Sequence, residues 1–270
     1  MATHALAVTG AGGTTALART IIGAAVTFPA GGPWTIQYVW GQVAKVTTVP
    51  SEGTGGALEI VSPSGDITPS PSPGLWPMIG NPQTSSANAN VAAMPLNLWE
   101  LDLLASGKST MSFYYIQQLA ITTASHCAAG VIFGTDRPQI RPARFCDRVQ
   151  ASWASTAEQT VGTITLAEKA TRITGILADL NKGDALTTAE HVMATIRLDS
   201  PDIMLPPAQY PCSRCYDAGD GTVEGETAQP QSQFIPVDIP VEGGARITCH
   251  ATSTISVTAN CDINIYVAYE

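Results

Sequence analysis

The sequence of this chain repeats itself once along its length. Short apolar motifs of the first half recur in the second half at a spacing of about 134 to 138 residues. A repeat of this length is too long for a solenoid unit and suits one independent domain, so it predicts two homologous domains in tandem. The matched positions include Val26 and Ile164, Ile36 and Ile173, Leu58 and Ile196, Leu101 and Val237, Met111 and Ile247, and Cys127 and Cys261.

The repeated segments alternate apolar and polar residues, which is the period of a half-buried strand. Residues 35–40, 109–113, 246–249 and 262–267 show this alternation. Clusters of Gly, Pro, Ser and Asn separate such segments and no long helical pattern intervenes, so antiparallel sandwiches are favoured over βαβ units. The sequence therefore predicts an all-β chain of two tandem homologous antiparallel β-sandwich domains of jelly-roll type.

The repeat divides the chain into four predicted segments. Residues 1–22 are a small, apolar N-terminal arm that lies along its own domain or against the next subunit, and residues 23–136 are the first β-sandwich. Residues 137–158 are an Arg-rich linker and residues 159–270 the second β-sandwich. No run approaches the about twenty apolar residues of a transmembrane helix, and no basic segment precedes the apolar N-terminal run, so neither a membrane span nor a signal peptide is expected.

Charged residues are scarce, since Lys, Arg, Asp and Glu make up 13% of the chain. A surface this poor in charge is expected where neighbouring subunits cover it. It also fits the Thr-, Ser- and Asn-rich exterior of extracellular β-proteins. The net charge of −9 argues against coating nucleic acid, because phosphate binding needs a basic surface. No direct sequence-specific binding to nucleic acid is expected.

Four of the thirteen basic residues lie close together in the predicted linker: Arg137, Arg141, Arg144 and Arg148. Their guanidinium groups are expected to pair with carboxylates of either domain or of a neighbouring subunit. A patch that faces packaged nucleic acid or a membrane surface is the alternative. Together with Trp76, which lies in a long Pro- and Ser-rich segment, these arginines are the predicted interface residues.

Two of the six cysteines have a spacing with possible metal or redox meaning, Cys212 and Cys215. A zinc ribbon needs a second pair at ribbon spacing, and none follows. A disulfide within this Pro-rich segment and two free thiols are both favoured over zinc. The sequence predicts no metal and no other cofactor.

Motifs for catalysis are absent from the sequence. The glycine-rich segment at residues 8–16 lacks the third glycine of a dinucleotide loop and the lysine of a phosphate-binding loop. No Gly-x-Ser-x-Gly elbow is found, and the four histidines lie in separate segments. Asp66 and Asp202 occupy matched positions in the two copies, which favours a shared role in a turn over a single catalytic centre. No enzymatic activity is predicted; paired carboxylates of a sandwich hydrolase are a third reading.

Residues 26–38 contain a short strand, a proline-glycine turn and a second alternating strand. This pattern resembles the opening of double jelly-roll capsid proteins from tailless icosahedral viruses. Residues 237–249 are similar to phage virion β-sandwich proteins, including capsid decoration proteins, in which a Pro/Gly turn joins two strands. The resemblance implies two sandwiches side by side, trimers with a pseudo-sixfold outline, and a role in the shell or on its surface without catalysis.

The sequence thus predicts a structural, self-assembling protein of the virion, whose partners are other copies of itself, in trimers, and other virion proteins. The alternative is a secreted or surface-displayed tandem carbohydrate-binding module whose tryptophans stack on sugars. Trp34 and Trp40 are six residues apart, so strand parity predicts that they point to the same face. If both pack against the core the shell is favoured, whereas a coplanar exposed pair favours the carbohydrate-binding module.

Overall fold

The protein is described by a computed structural model whose described residues are all β and contain no helix. The described residues are 3–44, 55–71, 74–79, 98–117, 124–135, 144–153, 156–182, 190–192, 194–205, 208–212, 215–217, 233–253 and 261–270. They form two compact units, with the division between residues 146 and 147. Within the described part, no helix is long and apolar enough to cross a membrane.

The described part of unit 1 contains ten strands, and β8 alternates between buried and more exposed residues along its whole length. Their bounds are β1 (Thr3–Ala11), β2 (Arg19–Ile21), β3 (Val26–Thr27), β4 (Trp34–Ala44), β5 (Gly55–Val61), β6 (Ile67–Thr68), β7 (Leu75–Ile79), β8 (Leu98–Ala105), β9 (Thr110–Gln117) and β10 (His126–Gly134). Strands β1-β10-β4-β8-β6, in this order, form one sheet, called sheet 1a. Strands β2-β9-β5-β7 form the second, sheet 1b, and β3 also pairs with β9.

Unit 2 follows the same plan. Its strands are β11 (Phe145–Trp153), β12 (Gln159–Thr165), β13 (Arg172–Lys182), β14 (Glu190–Val192), β15 (Ala194–Asp199), β16 (Gln209–Pro211), β17 (Cys215–Asp217), β18 (Ile235–Pro240), β19 (Arg246–Ser253) and β20 (Cys261–Tyr269). Strands β11-β20-β13-β18 form sheet 2a and β12-β19-β15-β16 form sheet 2b. Strands β14 and β17 pair with each other outside these sheets.

The two units share one topology. Counting the main strands of each unit from first to eighth, and leaving out β3, β6, β14 and β17, sheets 1a and 2a both have the order first-eighth-third-sixth. Sheets 1b and 2b both have the order second-seventh-fourth-fifth. Eight antiparallel strands arranged in this way form a jelly roll, in agreement with the predicted fold class.

Positions matched in sequence also have matched strand partners. Val26 pairs with Met111 in unit 1, and its counterpart Ile164 pairs with Ile247 in unit 2. The sequence repeat matches Val26 with Ile164 and Met111 with Ile247. The sequence repeat therefore follows the strand register.

A matched turn contact holds the start of the seventh strand in each unit. In unit 1 the Ser64 hydroxyl accepts a hydrogen bond from the Thr110 backbone N–H at 3.1 Å. In unit 2 the Asp202 carboxylate accepts one from the Arg246 backbone N–H at 2.9 Å. Because Asp66 accepts a hydrogen bond from the Ser64 hydroxyl, both matched aspartates serve this turn, as the sequence indicated.

Each core lies between the two sheets of its unit. In unit 1 the aromatic rings of Phe28, Trp34 and Phe133 pack edge to face, with centroids 5.0 and 5.4 Å apart. In unit 2 aliphatic side chains dominate, and fully buried members are Ile173, Ile176, Ile196, Ile247, Ile263 and Ile265.

Two predicted segments turn out to contain strands. Residues 3–11, in the predicted arm, pair along their whole length with β10 as β1. Residues 145–153, in the predicted linker, are β11, the edge strand of sheet 2a. The reason is period-two alternation, which places Leu6 and Val8 opposite the buried Val131 and Ala129. The boundaries of the four segments otherwise stay predictions.

Candidate functional site

The predicted interface arginines that the structure describes lie in different surroundings. Arg137 and Arg141 lie outside the described residues. Arg144 is on the surface, where its Nη1 is 3.1 Å from Glu100 Oε2 and the two side chains are 44% and 54% exposed. Arg148, in contrast, has its Nη1 shielded from solvent. Of the described pair, only Arg144 is placed to meet a neighbouring subunit.

The burial of Trp76 does not fit its predicted place in an interface. Trp76 lies on β7, pairs with Leu58 and is 3% exposed. Residues on β7 alternate, so Trp76 and Met78 both point between the sheets of unit 1. Trp76 is a core residue of this unit.

Trp34 and Trp40 point to opposite faces of sheet 1a, so the parity argument was wrong. Tyr38 pairs with Ile132 and the next pair is Ile36 with Phe133, which leaves Gln37 as an extra residue in β4. Such a bulge reverses the alternation of side chains beyond it. Trp34 is therefore buried at 8% exposure on the inner face, while Trp40 is half-buried on the outer face.

The cysteines give no sign of a metal centre. Cys212 is half-buried, and Cys215 begins β17 with a side chain that lies outside the described set. Among the described residues, no group of three or more His, Cys, Asp and Glu side chains could hold a metal ion. Burial raises the pKa of the Cys127 and Cys249 thiols to about 12, which keeps them protonated and unreactive.

The outer face of sheet 1a is the candidate functional surface. Its residues line up in rows that cross the strands, because antiparallel partners share a face. One row is Leu98, Trp40, Gly130 and Ala7. The next is Glu100, Tyr38, Ile132 and Ala5. Apart from Glu100, these two rows consist of aromatic, aliphatic and small residues.

Gly130 lets the Trp40 indole lie flat on this face. A Cβ added at Gly130 would come within 2.7 Å of Trp40 Cζ2 and 2.5 Å of the Leu6 carbonyl oxygen. Both distances are shorter than van der Waals contact, so a larger residue would push the indole away from the sheet. The glycine therefore keeps the centre of the face flat.

Apolar exposure is high along β8, at one side of this face. Leu98 is 42% exposed and Leu104 is 37% exposed. The strands of sheet 1a contain no Lys or Arg, and their only acidic residues are Glu100 and Asp102. Large exposed apolar side chains with few charged neighbours are typical of surfaces that another protein covers.

The corresponding face of sheet 2a is buried instead. Leu177 pairs with Tyr266, and both are 1% exposed. Next to them Asp179 pairs with Asn264, which is 0% exposed. The buried Asn264 amide is thus placed beside the Asp179 carboxylate.

Asp179 is an ionisable group in these shielded surroundings. Burial raises its pKa to about 6, although the neighbouring Asn264 amide and the charge of Arg148 oppose the shift. Its Oδ1 is shielded from solvent, as is Nη1 of Arg148. The charge of Arg148 therefore acts on a shielded carboxylate within unit 2.

A second shielded carboxylate lies on β11, the edge strand that also carries Arg148. Asp147 accepts a hydrogen bond from the Tyr269 hydroxyl at 2.8 Å. Burial raises the pKa of Asp147, and the Tyr269 hydrogen bond offsets part of that rise. Asp147 is thus bonded to β20, the neighbouring strand of sheet 2a.

The outer face of sheet 1b carries an ion pair across its middle strand. Arg19 of β2 bonds Glu59 of β5. Its guanidinium also lies 3.4 Å from the centroid of the Tyr114 ring on the strand between them. This geometry is a cation–π contact combined with a salt bridge.

Sheet 2b has an equivalent pair with the charges exchanged. Glu158, just before β12, accepts hydrogen bonds from Arg197 of β15 at 2.7 and 3.0 Å. His250 of the intervening β19 lies beside them, with Nδ1 3.3 Å from Thr160 Oγ1. The second strand therefore supplies the arginine in unit 1, whereas the fourth strand supplies it in unit 2. One framework presents two different surfaces.

Comparison with known proteins gave matches among solved structures only. No family model and no curated protein matches the chain. The crystal structure of the STIV MCP aligns with 99% of this chain and 95% of its own, at 11% identity and a TM-score of 0.37. A chain from the atomic structure of Sulfolobus Turreted Icosahedral Virus aligns with 99% and 90%, at 8% identity and a TM-score of 0.41.

A turret protein of Sulfolobus turreted icosahedral virus aligns over 99% of both chains, at 9% identity and a TM-score of 0.23. At such scores the fold assignment rests on the strand order itself and not on the matches.

Proposed function

We propose that this chain is a structural, self-assembling virion protein that works in the capsid shell or decorates it, without catalysis. The observation that carries the proposal is one jelly-roll framework built twice with different exteriors. Sheet 1a has an outer face with exposed leucines, whereas the same face of sheet 2a is buried and holds charges. Two similar units with different surfaces allow one chain to meet non-identical neighbours in a closed assembly.

We further infer that the two units arose by internal duplication. The support is the matched register of Val26 with Met111 and of Ile164 with Ile247, together with the matched turn contacts. The partners of the chain are other copies of itself, in trimers, and other virion proteins.

No observation favours the carbohydrate-binding alternative. That reading needs a coplanar exposed tryptophan pair, and Trp34 and Trp40 lie on opposite faces of sheet 1a. Trp76 and Trp99 are 3% and 8% exposed. Stacking on a sugar ring needs an open aromatic face.

The test is the mass of the purified chain in solution, measured by native mass spectrometry and seen by electron microscopy. We expect trimers or larger closed assemblies in the micromolar range. A chain that stays monomeric at all concentrations and binds an array of oligosaccharides contradicts the proposal.

A further inference from the structure

We propose that the outer face of sheet 1a is the surface on which a second copy of this chain docks. The inference rests on the proposed self-assembly and adds the face that performs it. The surface is the one formed by the rows through Trp40 and Tyr38, with Leu98 and Leu104 along β8.

Equivalence between the units is the first support. In unit 2 the same face of the same strands is closed, with Leu177, Tyr266 and Asn264 at 1% exposure or less. In unit 1 Leu98 is 42% exposed and Leu104 is 37% exposed. Since unit 2 buries this face, the same framework also allows its burial in unit 1. There the aromatic and leucine side chains provide the apolar centre of an interface.

Charge selects the occupant. The chain carries a net charge of −9, so two copies repel each other unless they meet where few acidic groups are exposed. The strands of sheet 1a carry only Glu100 and Asp102, and Glu100 is already bound to Arg144. Since these strands carry no Lys or Arg and the neighbouring Arg144 is paired with Glu100, the described part of the face offers a nucleic acid or an anionic lipid surface no unpaired basic group. A second copy of the chain needs no basic group here, because its own sheet 1a is equally poor in charge.

The size of the face suits a protein partner. Four strands about 4.8 Å apart and about 28 Å long present roughly 500 Å² in projection. Each partner of a standard interface buries about 800 Å² of accessible surface. The accessible surface of a patch is larger than its flat projection, because the side chains stand out from the sheet. The face is therefore large enough for one specific contact in an assembly where several contacts act together.

The edge of the same sheet extends this surface. β1 contains neither proline nor a charged Lys, Arg, Asp or Glu over its nine residues. The edge strand β18 of sheet 2a instead carries Pro236, Asp238 and Pro240. Proline and charge on an edge strand oppose pairing with other chains, and β1 has neither protection.

The test compares glutamate substitutions on two exposed apolar surfaces of the full chain. The double variant Leu98→Glu/Leu104→Glu places charges on the proposed face. Ile21→Glu is the matched control, because Ile21 is 47% exposed but lies on β2 of sheet 1b. We measure assembly against concentration by analytical ultracentrifugation, and folding by circular dichroism and thermal melting.

The double variant is expected to raise the concentration at half-assembly by roughly tenfold or more, whereas the control stays within about twofold of the original chain. Should the double variant lose its fold, Ala7→Glu, on the opposite side of the same face, is expected to raise the concentration at half-assembly in the same way while it stays folded. A folded double variant that assembles like the original chain overturns the choice of face while the proposed self-assembly stands. An original chain that never assembles overturns both.

Discussion

Sheets 1a and 2a have the same strand order and opposite surroundings. In sheet 1a only β8 carries Asp, Glu, Lys or Arg, and the outer face exposes Leu98 and Leu104. In sheet 2a every strand carries at least one, and the residues at the centre of the same face are buried. The comparison teaches that alternation and turns determine the topology, while the residues at outer positions determine whether a face stays open.

The closed face is expected to depend most strongly on Arg148. Replacing it by methionine keeps much of the volume but removes the positive charge beside Asp179. Because the remaining carboxylate is shielded and loses a favourable charge interaction, we expect Arg148→Met to lower the free energy of unfolding by roughly 3 kcal/mol at neutral pH. Urea denaturation followed by circular dichroism measures this loss.

Arg144→Met is the matched control for that variant. Arg144 also pairs with a carboxylate, but its side chain and that of Glu100 are 44% and 54% exposed. Its loss is expected to cost less than about 1 kcal/mol. Equal effects of the two substitutions would remove the distinction between the closed and open sheets.

The stability of the closed face is expected to fall as the pH rises. The pKa of Asp179 is about 6 in the folded chain, above its ordinary value of 3.8, so the folded state holds the proton more tightly. The stabilisation that this proton gives the folded chain is complete below pH 3.8 and is lost as the pH rises through about 6. Between about pH 4 and pH 7.5 the loss is roughly 2 to 3 kcal/mol.

Asp179→Asn isolates this contribution, because all other titrating groups are common to both proteins. The stability of the original chain relative to the variant is expected to decrease over that interval, as measured by urea denaturation at several pH values. A difference between the two proteins that does not change with pH contradicts the assigned role of Asp179.

A smaller effect is expected on the open face at Gly130. A Cβ at this position approaches Trp40 and the Leu6 carbonyl oxygen too closely. Gly130→Val is therefore expected to cost about 2 kcal/mol and to increase the solvent exposure of Trp40. Thermal melting and tryptophan fluorescence test this, with Ala5→Val, at an exposed position of the same face, as the control expected to change neither.

The repeat and the alternating pattern were enough to predict much of the fold. Matching Val26 to Ile164 and Met111 to Ile247 anticipated pairs that occupy the same place in the two units. The reason is physical, since burial of one face in two restricts which residues can follow each other in a strand. Turn residues such as Asp202 were recognisable for the same reason.

The orientation of the tryptophans could not be predicted in this way. Parity holds only in an unbroken strand, and the extra residue Gln37 reverses it between Trp34 and Trp40. The Pro-, Ser- and Asn-rich composition of residues 68–90 predicts a long loop around Trp76, yet residues 75–79 form β7, which includes Pro77. Proline is tolerated there because β7 is an edge strand of sheet 1b.

The environment of Arg148 was also beyond the sequence. Four arginines in a short segment indicate an exposed strap, yet residues 145–153 form a strand and place Arg148 close to Asp179. Asp179 lies 31 positions further along the chain (179 − 148), on a different strand. Local composition contains no information on which strand becomes its neighbour.

The most direct test of the central claim is hydroxyl-radical footprinting of the original chain below and above its assembly concentration. Leu98 and Leu104 on the outer face of sheet 1a are expected to lose most of their labelling on assembly, while Ile21, which is similarly exposed on sheet 1b, keeps its labelling. Equal labelling of Leu98 and Leu104 in the dispersed and the assembled chain would contradict the account.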